Sequence, residues 1–209
     1  MNKLIKALCL AIVLSIPAFA QTQTDFNKNE FYVGYSNQQV SDGNRATFDG
    51  IEAAYTRNIN RWFGIRGMVS YAKSDRNFNG TLADPIIGNY NFQQMNIRSV
   101  ANFLGGVQIK DNASKKRFKP FAYALAGVAV NRSTYKNLFC ASASCPSSIP
   151  IFNNVTFRET GLAGAFGGGL DIKISKRIDF RAIQIDYNPI YTNGRVANNF
   201  RFGVGIVFK

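Results

Sequence analysis

Apolar and polar residues alternate along the last eleven positions of the chain, Asn199 to Lys209. Phe200, Phe202, Val204, Ile206 and Phe208 fall on one face of an extended segment, and Arg201, Gly203, Gly205 and Val207 on the other, because successive strand side chains point to opposite sides. One face is wholly apolar, whereas the other is polar or small. A tilted strand of about 9–11 residues crosses a bilayer. The segment therefore reads as the closing strand of a transmembrane β-barrel.

The same alternation recurs upstream. It predicts strands near Glu30–Ser36, Phe48–Ile59, Trp62–Lys73, Gln94–Lys110, Phe118–Asn131, Phe157–Ile174 and Ile178–Tyr187. Short turns at Asn60-Arg61, Asp111–Arg117 and Ser175–Arg177 alternate with long polar stretches at 37–47, 74–92, 132–154 and 188–197. Helical periodicity is nowhere sustained after the first twenty residues. The expected fold is all-β: an eight-stranded, antiparallel, up-and-down transmembrane barrel with short periplasmic turns and longer external loops. Two places strain this reading. The seventh strand changes phase, since Phe180 and Ala182 share a face that Gln184 interrupts, and a bulge near Ile183 would restore it. Arg57 would face outward and must snorkel to the interface, or the register there is wrong. Aromatic residues gather at strand ends. Trp62, Phe63, Phe118, Phe180 and Phe208 lie beside the short turns, and Tyr35, Tyr71, Phe92, Tyr135, Phe157, Tyr187 and Phe200 lie near the long loops, as two interfacial girdles require.

Met1 to Ala20 stands apart. Lys3 and Lys6 precede an apolar run from Leu8 to Ile16, and Ala18-Phe19-Ala20 offers a small-x-small cleavage site, so the segment reads as a secretory signal. Removing 20 of 209 residues leaves 189, one barrel domain over 21–209. The net charge of +13 becomes +11 without Lys3 and Lys6. On an exported protein that excess suits anionic headgroups, lipopolysaccharide or cell-wall polymer, not nucleic acid. Cys140 and Cys145 remain after cleavage, and export favours a disulfide between them. No histidine is present, so the two thiols alone make a poor zinc shell and a disulfide is favoured over a metal site, while any histidine-based nucleophilic triad is excluded. No metal or cofactor site is expected.

The inward faces of the predicted strands hold Glu52, Arg66, Arg98, Asn102, Asp171, Lys173, Gln184, Asp186 and Arg201. An eight-stranded barrel is filled by side chains, and buried ions need partners. The expectation is an interior polar network that plugs the barrel. Gln184 and Asp186 could instead fall at the outer mouth. The competing reading of Glu52, Asp171 and Asp186 as catalytic carboxylates is opposed by their placement on separated strands, and no catalytic residue is assigned. Gly161, Gly164, Gly167, Gly168 and Gly169 are not followed by a helix start, so they suit close strand packing better than a nucleotide loop. Lys110, Lys115, Lys116, Arg117 and Lys119, with Lys173, Lys176, Arg177 and Arg181, are expected to form a basic periplasmic rim.

Arg201, Gly203, Ile206 and Phe208 resemble the C-terminal assembly signal of outer-membrane barrels, with the terminal aromatic displaced one place by Lys209. Together with the stretch Phe180–Tyr187, they resemble the end of the OmpA-like, opacity-protein-like outer-membrane β-barrel family. The resemblance implies an outer-membrane location and recognition by the barrel-insertion machinery. It leaves function open among structural anchor, adhesin and narrow pore. Three readings follow. The first is a non-enzymatic barrel whose external loops, above all 132–154, contact a partner. The second is a narrow pore for ions or small solutes. The third is a soluble lipocalin-like barrel with its apolar face inward.

Overall fold

The computed structural model describes residues 26–40, 46–84, 88–140 and 155–209; of 78, 82–84, 88–93 and 137–140 only the backbone is described. The expected signal segment and Cys145 lie outside these residues, and with Cys145 the expected disulfide. The alternating segments form strands β1 (Asn29–Val40), β2 (Ala46–Asn58), β3 (Phe63–Asp84), β4 (Gly88–Lys110), β5 (Phe118–Cys140), β6 (Val155–Lys173), β7 (Ile178–Tyr187), β8 (Ile190–Thr192), β9 (Arg195–Ala197) and β10 (Asn199–Phe208). β1 to β7 pair in sequence, β7 pairs with β10, and β10 pairs with β1. Eight antiparallel strands therefore close a ring and leave no edge within it. β8 and β9 form a small hairpin beside β6. Its Asn193-Gly194 loop has φ of 50° and 77°, the left-handed pair that a two-residue hairpin turn demands.

Orientation decides the barrel type. Phe202, Val204 and Ile206 are 39%, 37% and 42% exposed on the outer wall, whereas Arg66 is 1% exposed inside. The greasy face points outward, opposite to a lipocalin, and the third reading falls. On β3 the lipid-type face runs from Phe63 to Tyr71, nine residues. At about 3.3 Å per residue and a tilt of about 40°, that is about 23 Å of height, matching the apolar band of an outer-membrane barrel.

The short turns are built by side chains. Asn60 Oδ1 accepts from the amides of Trp62 and Phe63, both at 2.8 Å. Ser175 Oγ accepts from the amides of Arg177 and Ile178. β7 carries the bulge its phase change called for. Ile183 opposes Leu170 but Arg181 opposes Asp171, and the partner residues on β10 shift likewise. Ala182 is the additional residue. Arg57 keeps its outward register opposite Asn29 and donates to Asn29 Oδ1 at 3.1 Å.

One expectation about length is corrected. Much of the polar stretch 74–92 is not loop: β3 and β4 stay paired to Asp84 and Gly88, and β5 runs on to Cys140. Polar residues on both faces hid these extensions, because no buried face was there to impose alternation. The wall is consequently lopsided. β1, β2, β7 and β10 have 10–13 residues, whereas β3, β4 and β5 have 22 or 23.

Candidate functional site

The lumen is filled with ionised side chains delivered by the inward parity of each strand. Near the periplasmic end, Lys110 Nζ of β4 donates to both carboxylate oxygens of Glu30 on β1, at 3.0 and 2.9 Å, and to Asp171 on β6 at 2.8 Å. Arg181 of β7 closes on the same Asp171 through Nε at 2.8 Å and Nη2 at 3.2 Å. Its Nη1 donates to Gln184 Oε1 at 2.8 Å, and Gln184 Nε2 donates to Glu52 on β2 at 2.8 Å. Higher in the lumen, Arg201 donates to Asp186 through Nε and Nη2 and to Ser70 Oγ at 2.9 Å, with Glu52 at 3.6 Å. Tyr123 donates to Asp186 at 2.6 Å, and Asn102 to Ser70 at 3.1 Å.

Among the described residues, Arg66 has no carboxylate in hydrogen-bonding contact. Its guanidinium donates to Gln108 and Gln184 and lies 4.6 Å from the Tyr123 ring centroid. Arg181 lies 4.3 Å from the Tyr32 ring and 3.9 Å from that of Phe121. Desolvated cations over aromatic faces gain from the ring quadrupole. Tyr32 can reach across the lumen because Gly34 and Gly205, directly opposed on β1 and β10, leave its ring room: a Cβ on Gly205 would sit 2.8 Å from it.

Nine sequence-assigned residues are thus distributed as follows. Glu52, Arg66, Asn102, Asp171, Gln184, Asp186 and Arg201 are buried within the barrel, with Gln184 and Asp186 inside the network and not at the mouth. Arg98 sits higher, over the Phe48 ring at 5.6 Å, lining the outer mouth. Lys173 is half-buried at the periplasmic end, opposite Asp179. The basic-rim expectation is corrected at three positions. Lys110, Lys119 and Arg181 are buried in the lumen, and Lys119 pairs with Asp179 at 3.4 Å. Lys110 and Lys119 share parity with the inward residues of their strands, and Arg181 does so once the bulge is placed. Counting parity to the strand ends would have found them, along with Glu30 and Asp179.

Among the described residues the buried ions are five acids (Glu30, Glu52, Asp171, Asp179, Asp186) and five bases (Arg66, Lys110, Lys119, Arg181, Arg201). The lumen is therefore neutral, and the excess positive charge lies elsewhere. Each supposed catalytic carboxylate is held by a cation, and no described cluster could hold a metal. At the rim, Lys209 donates to Asp179. Burial pushes its ammonium down to about 8 despite that partner.

Above the network the barrel opens into an outward-facing cup of about 440 Å³. Gln38, Val40, Phe48 and Val100 line it from the barrel wall, and Arg98, Glu159, Asn193 and Arg195 supply polar groups.

Residues 7–208 match the family described as "Outer membrane protein beta-barrel domain". No curated protein matches the chain significantly. Among solved structures, Ail, the attachment invasion locus protein of Yersinia pestis, is 13% identical with a TM-score of 0.50, covering 86% of this chain and 97% of its own. Ail in complex with the heparin analogue sucrose octasulfate aligns at 17% identity with the same TM-score and coverage. Neisserial surface protein A is 14% identical with a TM-score of 0.51, covering 88% of this chain and 99% of its own. At these identities the likeness concerns the fold. The chain belongs to the outer-membrane β-barrel family, and its place is the bacterial outer membrane.

Proposed function

We propose that this outer-membrane barrel is a non-conducting surface-interaction protein, whose partner contacts are made by the tall β3–β6 side of its wall and the adjoining cup. The observation that carries the reading is the lopsided wall. The last residue of β3 with a partner on β2 is Lys73, opposite Asp49. Eleven further residues continue to Asp84, paired only with β4. At about 3.3 Å per residue they add about 36 Å of strand beyond the apolar band. A barrel serving only as an anchor or conduit has no use for such a projection, and binding residues commonly sit on extensions of a rigid scaffold.

The lumen supports the non-conducting half of the reading. Oppositely charged side chains interlock across it with exposures near zero, and water-filled passage would require several ion pairs to part together. The cup supports the interaction half. Arg98 and Arg195 face Glu159 and a set of amides, a polar surface suited to an anionic saccharide or polymer. In Ail a polysulfated ligand has been captured on the same fold, which makes sucrose octasulfate a reasonable first probe here.

Replacing residues 75–97 by a two-residue Asn-Gly turn is expected to leave a heat-modifiable, folded barrel that no longer binds its surface partner. Planar-bilayer recording of the intact protein is expected to show no stable conductance. A steady conductance abolished by Glu52→Gln would replace this reading with the pore. Unchanged binding by the trimmed barrel would remove the projection from the argument.

A further inference from the structure

Among the described residues, the outer wall carries an uncompensated pair of cations one rung above the apolar band. Strand register sets Tyr71, Ala101, Val130 and Thr160 in one row, and Lys73, Ser99, Arg132 and Arg158 in the next. Outward residues are odd-numbered on β3 and β4 and even-numbered on β5 and β6, so both rows face outward. Lys73 is compensated, because it donates to Asp75 at 2.8 Å and has Asp49 as its cross-strand partner. Arg132 and Arg158 differ. They oppose each other directly on β5 and β6, both are exposed, and neither bonds to a described residue. Directly opposed like charges destabilise a sheet. Here they stand where a bilayer's low dielectric begins and screening weakens.

Beneath them the wall is hollow. Ser99 and Ala101 are small, and a groove of about 550 Å³ opens between Tyr71, Val130, Thr156 and the two arginines. With the tall wall pointing outward, as the family's short-turn, long-loop polarity dictates, the groove lies at headgroup level in the outer leaflet. Its floor is apolar toward the membrane core and cationic toward the surface.

We propose that this groove binds a phosphorylated glycolipid of the outer leaflet, its phosphate held between Arg132 and Arg158 and the root of an acyl chain laid along Ala101 and Val130. Guanidinium forks suit a phosphate bidentately, and the bound anion cancels the repulsion that the bare barrel carries. The occupant is lipid-borne, since the groove continues down into the apolar band, where a soluble anion has nothing to contact.

The probe is bisphosphorylated lipid A, presented to the refolded full-length barrel in detergent and followed by native mass spectrometry. Wild type is expected to retain it at least tenfold more strongly than R132Q/R158Q. The control K115Q/K116Q, at the opposite end of the barrel, is expected to retain it fully, and inorganic phosphate is expected not to displace it. Equal retention by R132Q/R158Q would overturn the site. Equal loss by the control would reduce it to net charge, and displacement by phosphate would make it a soluble-anion site. A second readout is independent of the surface-interaction reading and of any folding defect. Without lipid A, Arg158→Gln alone is expected to raise the urea midpoint, by relieving repulsion, while weakening retention. A lowered midpoint would show that the arginines are structural.

Discussion

Asp171 is the carboxylate on which two cations converge, so its neutralisation tests the luminal network most directly. It accepts from Lys110 at 2.8 Å and from Arg181 at 2.8 and 3.2 Å, and it is fully buried. Asp171→Asn preserves shape while removing the charge. Lys110 keeps Glu30, but Arg181 is left with the neutral Gln184 oxygen and two aromatic faces. Stranding a buried charge costs about 3–5 kcal/mol, and the surviving Glu30 contact places this case near 3. With a urea slope of about 2 kcal/mol per M, the midpoint should fall by about 1.5 M. Trp62 is the chain's one tryptophan, and its ring lies 5.1 Å beneath the Arg61 guanidinium at a short turn, so its emission reports unfolding without a label. Arg181→Met should cost a similar amount, and the double variant D171N/R181M should recover about 2 kcal/mol of the sum, the coupling expected of residues in contact. A midpoint shift below about 0.3 M, or strict additivity, would refute the claim that these charges hold one another.

Gly203→Val should destabilise by about 1–3 kcal/mol through overpacking, because a Cβ there would meet Glu52 Oε1 at 2.7 Å. Gly67→Val, whose Cβ meets nothing within 4 Å, should be close to neutral in the same urea titration. Lys209 binds its proton less tightly folded, at about 8, than unfolded. Stability should therefore rise with pH from about 8 to about 10, where the unfolded chain holds the extra proton. Lys209→Met should flatten that slope in midpoints measured across the range. Asn193-Gly194→Ala-Ala should disfavour the positive-φ turn between β8 and β9, exposing 190–197 to limited proteolysis while leaving heat-modifiable mobility unchanged.

The barrel was legible because its apolar face is continuous from strand to strand. Phe31, Val33 and Tyr35, or Phe200 to Phe208, leave no choice of side once a bilayer is the solvent. Even the β7 bulge was legible, since Phe180 shares its parity with Gln184 and Asp186 and can face outward while they face inward only if an extra residue intervenes. The extents of β3, β4 and β5 were not. Past Lys73 the strands leave the membrane, polar residues interrupt both faces, and pairing persists without a continuous apolar face to mark it. The depth of Lys110, Lys119 and Arg181 was hidden for a different reason. Basic residues beside a turn read equally well as solvated or as inward, and the sequence alone does not say which carboxylate from a distant strand meets them. The two opposed arginines at 132 and 158 were invisible, because their adjacency depends on the β5–β6 register, which spans a long connection.

The luminal network also bears on how the ring closes. Its contacts join residues far apart in the chain: Glu30 to Lys110, Glu52 to Gln184, and Ser70 to Arg201. No consecutive hairpin satisfies them alone. A barrel open between β1 and β10 would hold Glu52 without Arg201, and Lys110 without the fixed position of Glu30, in a cavity from which water is being expelled. A one-residue slip at that seam would be worse, since it turns every side chain of the strand to the other face. Arg201 would then point into hydrocarbon, and Phe200 and Phe202 into a ring of ions. Five acids matched to five bases therefore do more than neutralise the interior. They penalise every register but one at the β1–β10 seam, a role in which buried ionic groups contribute specificity even where an apolar core would be more stable.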